Sequence, residues 1–91
     1  MKFSIEFTTQ YKKDYKKLLK QGYERVKLEK VLDALLEGKS LEARYSDHQP
    51  KGIYKDCREC HISPDVLLIY KKEDNILILT CIRLGSHSEL F

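Results

Sequence analysis

A nearly continuous apolar run in the second half of the chain most constrains its fold. The residues Ile76-Leu77-Ile78-Leu79-Thr80-Cys81-Ile82 contain one hydroxyl group and no charge. The run is too short to span a bilayer, and its composition is typical of a strand covered on both faces. We therefore predict a central strand over 76–83. A sequence of 91 residues has room for one core, so we expect residues 1–91 to form one domain around this strand.

Three other segments are predicted to form strands. Phe3, Ile5 and Phe7 alternate with polar residues, and this predicts an N-terminal strand with one buried face. Two further strands are predicted over 54–62 and 66–71. The turn residues Ser63-Pro64-Asp65 and Glu73-Asp74-Asn75 separate the last three strands. The second half of the chain is therefore predicted to form an antiparallel meander.

Two helices are predicted between the first strand and the meander. Thr8 or Thr9 caps the first helix, and its apolar positions repeat with helical spacing. Gly22 and Gly38 stand where the two helices should end. We expect a helical hairpin that contributes Tyr15, Leu18 and Leu32 to the core. The predicted fold class is α+β, with both helices packed on one face of a four-stranded sheet.

The positive charge of the chain is concentrated in the first predicted helix. The formal net charge is +3, and the basic cluster consists of Lys12, Lys13, Lys16, Lys17 and Lys20. A basic face attracts phosphate polyanions and gives no sequence preference by itself. A solvated helix face is the alternative interpretation of this cluster.

The cysteines do not indicate a disulfide, haem or metal site. Cys57, Cys60 and Cys81 are an odd number without scaffold-like spacing, so we expect reduced thiols. Cys57 through His61 has the spacing of a haem attachment motif, but a strand points Cys57 and Cys60 to opposite faces. We therefore predict no metal and no cofactor. Because no signal peptide or membrane span is visible, we expect a cytoplasmic protein without a membrane partner.

Three histidines are the strongest functional signal. His48 lies in a predicted loop, His61 stands four residues before Asp65, and His87 follows Arg83 and a Gly-Ser bend. Histidine exchanges protons near neutral pH, because its unperturbed pKa lies there. Taken singly, each of the three is more commonly a solvated surface side chain. Together, beside an arginine that fits a phosphate, they indicate nucleic-acid chemistry.

Metal-free cleavage of RNA needs a base for the 2′-hydroxyl proton, an acid for the departing 5′-oxygen, and a cation for the charge on the phosphate. The sequence leaves open which histidine is the base. The apolar pair Leu90-Phe91 is expected to dock on the domain and thereby fix His87. The candidate catalytic residues are His48, His61, Asp65, Arg83 and His87.

The chain resembles the YafQ-type toxins of the RelE/ParE superfamily, which are messenger-RNA interferases of type II toxin–antitoxin pairs. The resemblance covers the whole chain and is sharpest in four segments: Asp47-His48, Arg58-Glu59-Cys60-His61-Ile62-Ser63-Pro64-Asp65, Leu67-Leu68-Ile69-Tyr70, and Arg83-Leu84-Gly85-Ser86-His87-Ser88-Glu89-Leu90-Phe91. It implies a RelE-like fold and assigns the histidines, Asp65 and Arg83 to RNA cleavage. Some relatives have an aromatic residue where this chain has Val66.

The resemblance also implies partners. Such toxins inhibit translation by cleaving messenger RNA in the ribosomal A site. A cognate antitoxin silences them, and contact with DNA is expected only through that complex. Two alternatives remain open at this point: a non-catalytic ParE-like toxin that inhibits gyrase, and an RNA-binding module on the same scaffold. The residues expected to contact substrate are Phe91, Lys12, Lys13, Lys16 and Lys17.

Overall fold

The computed structural model describes residues 2–50 and 52–91. The elements, in chain order, are β1 (Ser4–Phe7), α1 (Thr9–Lys20), α2 (Arg25–Leu36), β2 (Arg58–Ser63), β3 (Val66–Glu73), β4 (Ile78–Gly85) and the short α3 (His87–Leu90). Two single-turn 3-10 helices, Ala43–Tyr45 and Gly52–Tyr54, lie between α2 and β2. None of the helices in this part of the chain has the length and apolar character needed to cross a bilayer.

The four strands form one mixed sheet in the order β1-β4-β3-β2. β4 pairs in parallel with β1 and antiparallel with β3, and β3 pairs antiparallel with β2. The apolar run therefore lies at an interior position, as its composition predicts. Leu79 and Cys81 have no exposed surface. The predicted α+β fold with a strand, a helical hairpin and a meander is confirmed.

The segment around Tyr54 differs from the prediction, because it is not a strand. Gly52 has a left-handed backbone conformation (φ 78°), and the residues after it form a 3-10 turn. β2 begins only at Arg58. The turn-forming residues Gly52 and Asp56 override the weak alternation of this segment. As a result, Tyr54 lies over the sheet face and is not paired within the sheet.

The turn between β3 and β4 lies two residues later in the chain than the sequence predicts. β3 continues to Glu73 and β4 begins at Ile78, so Ile76 and Leu77 belong to the turn. Leu77 adopts a left-handed conformation (φ 54°) that is rare for residues other than glycine. The apolar character of Ile76 therefore does not reflect strand structure, and this side chain is 54% exposed.

The two faces of the sheet carry separate apolar clusters. The larger cluster joins α1 and α2 to side chains such as Leu68 and Leu84, and it forms the main core. Leu18 belongs to this core, as predicted, while Tyr15 and Leu32 are partly buried against it. The smaller cluster lies on the opposite face, which the helical hairpin leaves open. That open face is available for a functional site.

Thr8 connects the helical hairpin to the central strand. Its hydroxyl accepts a hydrogen bond from the Tyr11 amide at 3.0 Å and caps α1, as predicted. The same hydroxyl donates to the carbonyl of Ile82 in β4 at 2.7 Å. The start of α1 is therefore fixed relative to the strand that carries Arg83.

Candidate active site

The candidate residues lie on the open face of the sheet and next to it. In the register of the sheet, Glu59 of β2 stands opposite Ile69 of β3, which stands opposite Arg83 of β4. Strands are spaced about 4.8 Å apart, so Glu59 and Arg83 are separated by roughly 10 Å across the sheet. The sheet therefore brings β2, with His61, and the end of β4, which leads to His87, to one surface.

His48 and His61 form a pair around a buried carboxylate. Their ring centroids are 6.3 Å apart. The Glu59 side chain is only 7% exposed, and its Oε1 lies 3.5 Å from Nε2 of His48 and 3.8 Å from Nε2 of His61. Because one carboxylate faces both imidazoles, Glu59 can form an ion pair with either ring when that ring is protonated.

The backbone holds His48 beside β2. Its amide donates to the Glu59 carbonyl at 2.9 Å, and the Glu59 amide donates to the His48 carbonyl at 2.8 Å. Nδ1 of His48 is hydrogen-bonded to the Ser46 carbonyl. Because a carbonyl only accepts, Nδ1 donates, and Nε2 is left to face Glu59. A histidine that the sequence places in a loop is thus fixed at the sheet edge.

Asp65 lies in the exposed turn between β2 and β3. Within residues 2–50 and 52–91 its carboxylate makes no hydrogen bond or ion pair, so it does not orient His61. The turn itself is anchored, since the Tyr23 and Ser63 hydroxyls are hydrogen-bonded at 3.0 Å. In this structure Glu59 is the carboxylate beside His61, and Asp65 lies at the rim.

Arg83 is held in a defined orientation by α1. Its Nε donates to Asp14 at 2.8 Å and its Nη2 donates to the same carboxylate at 3.3 Å. Nη1 donates to the Tyr54 hydroxyl at 3.2 Å. The Leu84 amide also donates to Asp14, at 3.1 Å. A bidentate contact of this kind fixes the plane of the guanidinium. The Arg83 side chain remains 22% exposed.

The Asp14 carboxylate is stabilised in its charged form. Burial alone would raise the pKa of Asp14, but hydrogen bonds from Arg83, the Leu84 amide and Gln10 outweigh burial and lower it. Because the pKa of Asp14 is lower in the folded than in the unfolded protein, its charged carboxylate contributes fully to the free energy of unfolding above the unfolded-state pKa of about 3.9. This contribution is lost as the pH falls through the folded-state pKa.

We therefore predict that Asp14→Asn lowers the free energy of unfolding by about 3 kcal/mol at neutral pH, because it leaves Arg83 without its anionic partner. It should also flatten the acid-induced loss of stability between about pH 5 and pH 2. Urea unfolding followed by circular dichroism at several pH values measures both effects. Asp33→Asn, at an exposed position of α2, is the control. Equal stability of the two variants at every pH would contradict the prediction.

His87 and Phe91 lie around the short α3, beside Tyr54. Ser86 and Glu89 form a capping box that fixes the start of this helix. The Phe91 ring lies 5.0 Å from the His87 ring and makes an edge-on contact with Tyr54 at 5.7 Å. Leu90 is buried, as predicted, whereas Phe91 is 47% exposed. Leu90 therefore docks α3, while Phe91 presents an aromatic edge beside His87.

The four predicted substrate-binding lysines lie on two sides of α1. Lys13 and Lys17 line a depression that also includes Arg83 and Gly85. Lys17 pairs with Glu89, and this hydrogen bond, with those from Ser86, lowers the pKa of Glu89 to about 2. Lys12 and Lys16 instead line an apolar groove between α1 and α2, away from Arg83. Of the four lysines, Lys13 and Lys17 therefore adjoin the candidate site.

The cysteines behave as apolar core residues. Cys60 packs in the main core and Cys57 against the cluster on the opposite face, so the two diverge as the sequence predicts. Burial raises the pKa of the Cys81 thiol to about 12 and also raises that of Cys60. In the described ranges, no group of three or more His, Cys, Asp or Glu side chains is arranged to hold a metal ion.

Three residues of this site were not singled out from the sequence. Glu59 shares the strand face of His61, so strict alternation was the signal for it. Asp14 is the only acid in α1, a lysine-rich helix, and an isolated acid there is a signal for a distant cation. Tyr54 had no comparable signal, because its position depends on a turn that the sequence does not predict.

Comparison with known families gives a match over nearly the whole chain. Residues 3–91 match the family described as a bacterial toxin of type II toxin–antitoxin systems, YafQ. The chain is 38% identical over 88 residues to the mRNA interferase toxin YafQ of Escherichia coli K12, covering 96% of this chain and 94% of that protein.

Solved structures give the same result. The metal-bound toxin from Helicobacter pylori is 44% identical, with a TM-score of 0.90 and full coverage of both chains. The E. coli DinJ–YafQ toxin–antitoxin complex contains a chain that is 36% identical, also with a TM-score of 0.90, covering 100% of this chain and 99% of that one. The similarity therefore includes both the fold and the sequence.

Proposed function

The chain belongs to the YafQ family of bacterial toxins of type II toxin–antitoxin systems, and from this premise we propose that it cleaves messenger RNA with its histidines and Arg83. The observation that carries the proposal is the placement of His48 and His61 around Glu59, on the open sheet face that also leads to Arg83 and His87. A non-catalytic gyrase inhibitor or RNA-binding module has no need of this set. The curated relatives are named mRNA interferases.

We propose that the scissile phosphate lies between the histidine pair and His87. A 2′-hydroxyl that attacks phosphorus needs its base and the leaving oxygen needs its acid on opposite sides of the phosphate. His61 on β2, with His48 bridged beside it, and His87 in α3 after β4 approach the surface from two sides. The base can lie on either side of the phosphate, because the two arrangements differ only in the direction in which the RNA strand crosses the surface.

Arg83 is the proposed stabiliser of the negative charge that develops on the phosphate. Its pair with Asp14 fixes the guanidinium before substrate arrives, so that no reorganisation is needed during the reaction. Lys13 adds positive charge beside it, whereas the charge of Lys17 is paired with that of Glu89. Phe91, which is half exposed next to His87, offers a ring on which a base can stack. Asp65, Lys12 and Lys16 stay predictions that these contacts do not strengthen.

The proposed partners follow from the family and its solved relatives. Because YafQ of E. coli forms a complex with DinJ, we propose that this chain binds a cognate antitoxin of its own. We further propose that it cuts messenger RNA on the ribosome, where a basic surface contacts RNA phosphates.

Inducing the chain in a bacterium and mapping the 5′ ends of transcripts tests the proposed function. We expect new 5′ ends inside coding sequences within minutes of induction, accompanied by growth arrest. Growth arrest without new ends, together with inhibited gyrase in a supercoiling assay, would refute cleavage and support the ParE-like alternative.

We also predict that the toxin needs no tightly bound divalent cation of its own for the reaction, because side chains of the site can supply the base, the acid and the positive charge. Purified toxin should cut messenger RNA equally fast before and after dialysis against EDTA, measured on ribosomes that are re-equilibrated in magnesium and then mixed with the dialysed toxin. If dialysis removes the activity and added copper or zinc restores it, the prediction is wrong. The metal-bound relative makes this experiment informative.

A further inference from the structure

A second basic cavity opens beside His61, on the opposite side of the histidine pair from Arg83. It lies between α2, the first 3-10 turn and the turn after β2, and it has a volume of about 490 Å³. Cavities of about 300–1,000 Å³ admit ligands of small-molecule size, so a nucleotide can enter. The cavity is lined by Lys27, Lys30, Arg44, Tyr45, Ser46 and His61, together with the 62–64 turn.

The charge of this basic cavity is of one sign. Lys27, Lys30 and Arg44 contribute three cations, and among the described residues that line the cavity none is an acid. Arg44 does pair with Glu42 at 3.3 Å, but both side chains are about two-thirds exposed or more. Exposed pairs of this kind contribute roughly 0–1 kcal/mol, so an anion can displace Glu42 at little cost.

The basic cavity is continuous with the candidate active site. His61 lines the cavity and also faces Glu59 in the histidine pair. Ser46 lines it as well, and the Ser46 carbonyl holds the ring of His48. A polymer bound at the histidines therefore passes directly into the cavity, whereas Lys13 and Lys17 flank the other side of the site beside Arg83.

We propose that the basic cavity binds backbone phosphates of the substrate RNA, on the side of the cleaved bond nearer His61. The inference rests on the proposed function and extends it to the path of the strand. A single-stranded polyanion fits the cavity better than a protein segment does, because its rim is cationic and its aromatic residue Tyr45, which is half-buried against the core, already carries the Arg44 guanidinium 4.7 Å above its ring. The apolar groove between α1 and α2 has the opposite character.

Binding of an uncleavable RNA tests this path independently of catalysis. A fluorescent single-stranded oligonucleotide with 2′-O-methyl groups at every position lacks the attacking hydroxyl, so its binding can be followed by anisotropy across a range of salt concentrations. The test variant is Lys27→Ala/Lys30→Ala. The matched control is Lys20→Ala/Lys39→Ala, which removes the same charge from exposed positions that do not line the cavity. Alanine is compatible with α2, so the fold should be preserved.

The loss of two phosphate contacts predicts a definite change. The test variant should bind on the order of tenfold more weakly than the control at ~0.1 M salt, and the slope of log affinity against log salt should fall by about 1.4. Equal affinities and slopes for the two variants would overturn the proposal. So would an oligonucleotide that the wild-type chain does not bind even at low salt.

A second experiment tells whether the basic cavity binds substrate RNA or ribosomal RNA. Co-sedimentation with ribosomes that carry no message is measured for the same two variants. If the test variant loses ribosome binding but keeps the oligonucleotide affinity of the control, the cavity holds ribosomal RNA and the proposal is overturned. Cleavage by the wild-type chain is scored separately, so failure of the proposed function and failure of this binding path give different results.

Discussion

Replacement of His87 by alanine is expected to lower the rate of messenger-RNA cleavage by roughly 10²–10⁴-fold, because one of the two proton-transfer groups is lost. Growth arrest on induction should disappear with it. Purified toxin, mixed with programmed ribosomes, gives the rate from the appearance of cleaved message. The KM should change little, since the proposed role of His87 is to transfer a proton during the reaction and not to bind the RNA strand.

The exposure of His87 makes this a clean substitution. The side chain lies on the surface of α3, and Leu90 docks the helix without it. Thermal unfolding should therefore be nearly unchanged. Ser88→Ala, at an exposed neighbouring position, is the matched control and should cut at the wild-type rate. A His87→Ala chain that still cuts within threefold of wild type would remove His87 from the proposed mechanism.

The second large effect is expected from Arg83→Lys, which keeps the charge but loses the planar guanidinium. Lysine cannot make the bidentate contact with Asp14 and also reach the Tyr54 hydroxyl, so its ammonium group will not be held in a fixed position beside the phosphate. We expect kcat to fall by about 10²–10³-fold, the range found when one preorganised donor is removed.

Arg58→Lys provides the comparison for this substitution. Arg58 donates from Nε to Asp47 at 3.2 Å, and its side chain is 45% exposed, so exchange to lysine should leave cleavage unchanged. Because Asp14 is nearly buried, Arg83→Lys should also lower the unfolding temperature modestly. A variant that unfolds earlier but still turns over at the wild-type rate would show that Arg83 is structural only.

Periodicity was sufficient to predict the elements of the fold. The alternation in β1 and the helical spacing of α1 are local patterns, and each survives in the structure. The partner of β1 could not be predicted in the same way. A strand pattern shows which face is buried, but the parallel pairing with β4 depends on how the helical hairpin returns the chain to the sheet. Turn residues account for the two boundary errors, at Tyr54 and at Ile76.

The candidate site was predicted as a set of reactive residues but not as a set of contacts. Asp65 stands four residues after His61, so the sequence allows it to orient this ring, with a half-buried surface histidine beside an ordinary turn acid as the favoured interpretation. The structure instead places Glu59 there, because side chains two apart on a strand share a face. The contact of Asp14 with Arg83 joins residues separated by 69 positions, and no local pattern can predict a pair of that kind.

The parallel pairing of β1 with β4 has a consequence for the cell that makes this toxin. The first strand emerges early from the ribosome, but its partner is synthesised far later, as the 74-residue separation of Thr8 from Ile82 shows. Closing so long a loop is the late step of folding. β4 carries Arg83, and His87 follows it, so the candidate site cannot assemble until these residues have left the exit tunnel. A chain whose synthesis has not passed β4 therefore lacks both residues, even when the helical hairpin has already left the ribosome.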